Sequence, residues 1–164
     1  MLVLNQNQIE QKLVRISSEI VEKHSEDKTI VLAGINNKGY HIAQLLADQI
    51  RQQSDLEISL AQIRLNPASP LDSEVTIDIS PKEIKNKRII ICDDVASTGR
   101  TIFYAFKAIM DQLPRQVEVA VLLERMHKKF PIHADYVGLK LATTTKENIE
   151  VDLSLINQWK VELS

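Results

Sequence analysis

IIICDDVASTGRT, the stretch from Ile89 to Thr101, decides how the chain is read. Ile89, Ile90, Ile91 and Cys92 match a strand buried on both faces, which puts Asp93 and Asp94 at its carboxyl end. Open α/β sheets bind ligands at that end. Ala96-Ser97-Thr98-Gly99-Arg100-Thr101 then offers successive backbone N–H groups and three hydroxyls, and Gly99 is free to take φ > 0 where an anion-binding turn needs it. Ile102, Ala105, Phe106, Ile109 and Leu113 recur at helical spacing, predicting a helix that runs to Pro114 with its N-terminus aimed at the loop. Such an end favours an anion by roughly 0.3–1 kcal/mol per charge. Two carboxylates beside an anion cradle suit a ligand with hydroxyls close to a phosphate, as in a ribose 5-phosphate unit. A divalent cation can share the acids.

Strand and helix patterns extend outward from this stretch in alternation. Asn7 with Glu10 predicts a capped helix to about His24, with Ile9, Leu13, Ile16 and Ile20 on one face. Thr29 to Ile35 reads as a buried strand and Gly39 to about Gln53 as a helix with Ile42, Leu46 and Ile50 inward. Leu56 to Leu65 reads as extended; Val75, Ile77 and Ile79 alternate as a short strand, and Val117 to Leu123 supplies another buried one. Strands alternating with helices predict an α/β fold, doubly wound around a mostly parallel sheet. From Ala134 to Ser164, the runs Tyr136-Val137 and Ile149 to Leu153 predict a small flap or edge hairpin. No repeat or Gly/Ser-rich linker interrupts residues 1–164, so a single domain is expected.

Composition excludes several classes. At 164 residues and 44 % hydrophobic content the chain can bury a core without staples, and 20 basic against 22 acidic side chains give no overall field for nucleic acid or an anionic membrane. Cys92 is the lone cysteine and reads as a buried hydrophobe. No segment has the length of a membrane span or the form of a secretory signal, so a cytoplasmic protein with no membrane partner is expected.

Other residue patterns carry competing readings. An acid pair after an apolar strand also occurs in magnesium-binding nucleotidases, but no GxxxxGK[ST] loop accompanies it here. Gly34-Ile35-Asn36-Asn37-Lys38-Gly39 is a second strand-to-helix loop, either a plain turn or a second anion site with Lys38 as point charge. In Glu124-Arg125-Met126-His127-Lys128-Lys129, the last three residues, His127, Lys128 and Lys129, read as a solvated turn or a functional segment. His24, His41 and His133 lack metal-like spacing and read as surface or helix-end residues.

The Ile89–Thr101 pattern resembles the 5-phosphoribosyl-1-pyrophosphate (PRPP) signature of the type I phosphoribosyltransferases. Arg15-Ile16-Ser17-Ser18-Glu19-Ile20, Val31-Leu32-Ala33-Gly34-Ile35 and Pro131-Ile132-His133-Ala134-Asp135-Tyr136-Val137-Gly138 are similar, in order and spacing, to the subfamily of pyrimidine-operon regulators with uracil phosphoribosyltransferase activity. The resemblance implies a type I phosphoribosyltransferase fold with PRPP and a nucleobase as substrates, Mg2+ as cofactor, and a homodimer or higher homo-oligomer. It implies that Asp93 and Asp94 bind the ribose hydroxyls and metal, directly or through water. Ala96, Ser97, Thr98, Gly99, Arg100 and Thr101 would hold the 5-phosphate, and Asn36, Asn37, Lys38 and Gly39 the pyrophosphate. Tyr136 and Val137 would lie beside the base, read partly through backbone groups, with Arg125 as the side chain near that pocket.

Departures from the family pattern shape the expected activity. Lys38 stands where close relatives have Arg, losing bidentate contact with phosphate oxygens. Ser97 stands where 6-oxopurine enzymes commonly carry Asp, favouring uracil or another small pyrimidine. The stretch from Leu65 to Asp93 is shorter than the relatives' hairpin and carries Pro67 and Pro70, giving a shortened lid. Lid closure excludes water from the ribosyl centre. Two readings follow: an enzyme transferring ribose 5-phosphate from PRPP to a base, and a nucleotide-binding regulator of pyrimidine metabolism with little turnover. RNA binding ranks lower, because Val14 and Ser18 replace polar Thr and His positions tied to RNA contact in the regulators.

Overall fold

A computed structural model describes residues 1–164. Leu2–Leu4 (β1) leads into Gln6–Lys23 (α1), then Thr29–Ile35 (β2), Asn36–Gln53 (α2), Glu57–Arg64 (β3) and the stub Thr76–Ile77 (β4). Arg88–Ala96 (β5), Arg100–Ala105 (α3), Gln116–Arg125 (β6), Tyr136–Leu141 (β7), Ile149–Asp152 (β8) and Lys160–Leu163 (β9) complete the chain. The main sheet has the order β4-β3-β2-β5-β6-β7, parallel throughout except for β4. This is the doubly wound arrangement the alternating pattern predicts.

The apolar runs become two-sided strands. Every residue of β2 after Thr29 is buried, as are Glu118 to Glu124 of β6, because both faces of the sheet are covered. One layer gathers α1 and α2 through Ile9, Leu13, Ile16, Ile42, Leu46 and Ile50. The opposite layer holds Ile102, Ala105 and Ile109 after β5. Because α2 follows β2 on one face and α3 follows β5 on the other, the chain reverses its winding between these neighbouring strands. That reversal opens a crevice at their carboxyl ends.

Four expectations need correction. The α1 cap is Asn5 with Gln8, not Asn7 with Glu10: Asn5 Oδ1 accepts from Gln8 N at 2.9 Å and Asn5 N donates to Gln8 Oε1 at 3.0 Å. The chain leaves β1 at Leu4 and turns there. The helix expected to reach Pro114 ends as α3 at Ala105 and continues as 3₁₀ turns over Phe106–Ala108 and Met110–Gln112. Phe103, Tyr104 and Phe106 are weak helix formers, and the tighter turns still keep Ile109 inward. The strand expected over Val75–Ile79 is only the stub β4. Finally, Tyr136-Val137 is no flap but opens β7, the edge strand paired with β6. The flap is a separate antiparallel sheet, β1-β9-β8, whose third strand comes from the amino end.

At the opposite end of the sheet from the crevice lies a charged hub. His24 is 2 % exposed, with Nδ1 2.7 Å from Asp27 Oδ2 and Nε2 2.6 Å from Glu118 Oε1. Carboxylates on both ring nitrogens require both to donate, which is the imidazolium. The Glu118 bond leads in raising the His24 pKa, against the opposing effect of burial. Burial pushes Glu118 up, but hydrogen bonds from His24, Lys23 and Tyr136 override it and hold the carboxyl at about 2. Arg88 Nε closes the far side on Asp27 Oδ1 at 2.8 Å.

The signs of these shifts set a pH optimum. Glu118 stabilises the fold above its unfolded pKa of about 4.3, and that contribution is lost as pH falls towards its depressed value. His24 stabilises it fully below about 6.5, and that contribution is lost as pH rises through its raised value. Melting temperature measured from pH 5 to 9 is expected to fall on the alkaline side, and His24→Gln to flatten that limb. Glu118→Ala, which leaves His24 without its principal partner, is expected to cost on the order of 3 kcal/mol in urea denaturation.

Candidate functional site

Three segments meet at the crevice between β2 and β5. The first is the start of α2. Asn36 takes φ 51, which lets the helix begin directly after Ile35. The expected loop from Gly34 to Gly39 is therefore mostly helix: Asn37, Lys38 and Gly39 form its first turn. Asn36 itself faces β3, donating from Nδ2 to Leu65 O at 3.0 Å and accepting from Leu65 N at 3.1 Å on Oδ1. Gln62 Nε2 donates to Asn36 O at 3.0 Å. These bonds fix the turn and leave Asn37 and Lys38 exposed.

The second segment is the acid pair. Asp93 is buried and Asp94 half-buried, and each accepts its successor's amide: Asp94 N to Asp93 Oδ1 and Val95 N to Asp94 Oδ1, both 2.9 Å. Burial, reinforced by the neighbouring Asp94 charge, pushes the Asp93 carboxyl well above the ordinary carboxylate range. Asp94 lines a cavity of about 370 Å³ with Asn37, Lys38 and His41 of α2 and Glu150, Asp152 and Ser154 beside it. No group of three or more His, Cys, Asp or Glu side chains is placed to hold a metal ion.

The third segment is the loop after β5. Ser97, Thr98 and Gly99 have backbone N–H groups that donate to no protein acceptor. With Ala96, Arg100 and Thr101 they line a hollow of about 90 Å³. Gly99 has φ 86, and a Cβ there would lie 2.6 Å from Ile132 Cγ1, so only glycine fits on both counts. Thr98 O is turned away to accept Lys129 N at 2.9 Å and Phe130 N at 3.2 Å. The 129–132 segment thus braces the loop through the Thr98 carbonyl and leaves the Ser97, Thr98 and Gly99 amides free. Because α3 is only six residues long, what the loop offers an anion is this run of amides more than a helix dipole.

The remaining expected residues are placed differently. Arg125 is not brought to the cavity: its Nε donates to Thr143 Oγ1 at 2.8 Å and its Nη2 to the carbonyls of Thr144 and Glu147 at 2.8 and 2.9 Å. It clamps the connection from β7 to β8. Tyr136 turns its ring into the charged hub, with its hydroxyl donating to Glu118 Oε2 at 3.0 Å, so a ligand near β7 meets the backbone of this stretch. Arg15 of α1 reaches that backbone, donating to Val137 O at 3.1 Å and Gly138 O at 2.5 Å. The segment expected as a shortened lid is a string of tight turns from Asn66 to Asp72, and Arg100 Nη2 donates to Ala68 O at 3.4 Å.

His41, Glu150, Asp152 and Ser154 line the cavity without having been anticipated. His41 left one local signal, since it follows Lys38 by three residues and must share its helix face. The β8 residues left none, because nothing local tells which end of the sheet a distant hairpin covers.

A family profile for the phosphoribosyl transferase domain matches residues 3–155. The bifunctional protein PyrR of Bacillus cereus strain AH820 is 39 % identical over 166 aligned residues, spanning 96 % of this chain and 92 % of that protein. The bifunctional protein PyrR of Bacillus thuringiensis subsp. konkukian strain 97-27 matches to the same extent. Among solved structures, the hypoxanthine phosphoribosyltransferase of Trypanosoma cruzi superposes with a TM-score of 0.80 at 13 % identity, over 99 % of this chain and 94 % of that one. A hypoxanthine-guanine phosphoribosyltransferase of Bacillus anthracis gives 0.77 at 16 % identity, over 100 % and 96 %. These structural likenesses speak to the fold. No helix is long and apolar enough to cross a membrane. With the sequence match running through nearly the whole chain and the acid pair and amide nest at the switch point of the sheet, the chain belongs to the phosphoribosyltransferase family.

Proposed function

We propose that this chain transfers the ribose 5-phosphate of PRPP to a nucleobase, with uracil as the leading acceptor, and releases pyrophosphate. The observation that carries the reading is the pairing, on one strand end, of two carboxylates with three consecutive unpartnered amides. The amides of Ser97, Thr98 and Gly99, with the hydroxyls of Ser97, Thr98 and Thr101, suit the 5-phosphate. Asp93 and Asp94 accept hydrogen bonds from the ribose hydroxyls. Asn37, Lys38 and Gly39 receive the departing pyrophosphate, and Asn36 positions them. The base lies against the backbone near Val137, which Arg15 holds in place.

Two adjacent carboxylates, one of them buried, supply too few oxygens to cage a cation alone. Mg2+ fits this site when bound substrate completes the oxygen set beside Asp94. The cation would neutralise charge on the leaving group. The protein's own contribution is positioning and electrostatic stabilisation.

A second reading, a nucleotide-sensing regulator with little turnover, draws support from the lid. The turns over residues 66–72, anchored by Arg100 to Ala68 O, leave little free chain to fold over a substrate. RNA as the regulated partner is less favoured: the Ser18 hydroxyl is occupied between Val14 O at 3.0 Å and Gln53 Oε1 at 2.9 Å.

Calorimetry with PRPP and Mg2+, followed by pyrophosphate release across a panel of bases, separates the two readings. Binding and release with uracil, but not with hypoxanthine or guanine, is expected. Binding without release under any base moves the chain to the regulator, and no binding sinks both. The raised pKa of Asp93 adds a second expectation. A carboxyl raised on folding gives its full stability only below about 3.9 and loses it as pH rises through the folded value, so at neutral pH Asp93 burdens the fold. Asp93→Asn, which keeps the acceptor for Asp94 N, is expected to raise stability at pH 7 by about 1 kcal/mol while PRPP binding weakens. An unchanged or lower melting temperature would contradict that strain.

A further inference from the structure

His41 stands inside the cavity, and the reading above gives it no role. It lies one helical turn after Lys38, so the two side chains leave α2 side by side towards the same space. Its ring meets that of Trp159 edge to face, with centroids 6.1 Å apart and planes at 88°. Trp159 is held in turn, buried, with its backbone N donating to Gln6 Oε1 at 2.9 Å. The imidazole is therefore oriented by a fixed aromatic wall. Yet the side chains of His41 and Lys38 make no hydrogen bond or ion pair with any protein group.

The surrounding charges sharpen the point. Asp94 faces the cavity from β5 and Glu150 and Asp152 from β8, with Asn37 and Ser154 as neutral neighbours. Asp152 already accepts from Ser154 N at 3.0 Å and Ser154 Oγ at 2.6 Å. The only side chains in the cavity able to donate to an anion from the α2 side are Asn37, Lys38 and His41. Ammonium is a single point of attachment, whereas a diphosphate presents several oxygens and is held best by donors in a fixed spread.

We propose that His41 is a pyrophosphate-contacting residue, whose ring N–H works with the Lys38 ammonium as a two-point clamp in place of a single bidentate guanidinium. The proposal rests on the phosphoribosyltransferase reading of the same cavity. Its ligand class is a diphosphate, free or as the 1-substituent of a phosphorylated ribose. Neutral and protonated imidazole both carry an N–H, so the contact does not depend on a change of charge. Trp159 is a positioning residue that keeps the ring from turning away.

The test is calorimetric titration of the full chain with inorganic pyrophosphate plus Mg2+, and separately with uridine 5′-monophosphate. His41→Phe keeps an aromatic edge against Trp159 and removes the N–H. It is expected to weaken pyrophosphate about tenfold, with nucleotide affinity and melting temperature unchanged. His41→Gln, which restores a donor, is expected to recover part of the loss. Equal pyrophosphate affinity in wild type and His41→Phe overturns the clamp, as does equal weakening of both ligands, which marks a merely structural role. If the wild-type protein binds neither ligand, the phosphoribosyltransferase reading fails first and the clamp with it.

Discussion

The site depends on how closely the first turn of α2 approaches the end of β5. A Cβ on Gly39 would lie 2.5 Å from Cys92 O and 3.3 Å from Asp93 Oδ1, so the helix can sit there only because that residue has no side chain. Everything around the crevice inherits this contact. It brings Lys38 and His41 within reach of the cavity that Asp94 lines, and it shuts water out from above Asp93. Any side chain at position 39 would push the two halves of the winding apart.

That closeness has a cost carried by Asp93, whose carboxyl is desolvated next to a second acid. A fold selected for stability alone would place a neutral group there. The charged hub at the other end of the sheet behaves in the opposite way, since His24 and Glu118 each lower the cost of burying the other. Two buried acidic sites on one sheet thus have opposite effects on the fold. The difference is whether a cation from the protein stands opposite the carboxylate. At the crevice no protein cation is hydrogen-bonded to Asp93, so its burial goes uncompensated.

The flap ties the two chain ends to the same crevice. β1 pairs with β9 and β9 with β8, and β8 forms one wall of the cavity. Arg125 pins the connection leading into β8, and Trp159 wedges the turn before β9 against α1 and His41. Arg125, expected from the sequence near a base pocket, is thus bonded to the connection behind the cavity wall, through carbonyl oxygens that only the folded chain brings to it.

Much of this was legible in the linear chain, because the physics that decides it is local. The four apolar residues at Ile89–Cys92 needed burial on two faces, so β5 had to lie inside a parallel sheet, and the carboxylates had to emerge at its end. Gly99 and the hydroxyls around it marked a tight turn after β5, where the fold leaves three successive amides without a protein partner. The α1 and α2 faces followed from helical spacing. Tertiary structure alone decided the placement and partners of Arg125, Tyr136 and His41, the pairing of β1 with β9, and the shortening of α3. Each of those depends on which partner lies opposite across a long stretch of chain. Hydrogen bonds to distant carbonyls, edge-strand pairing and aromatic contacts leave no periodic trace in sequence, whereas burial and backbone conformation do.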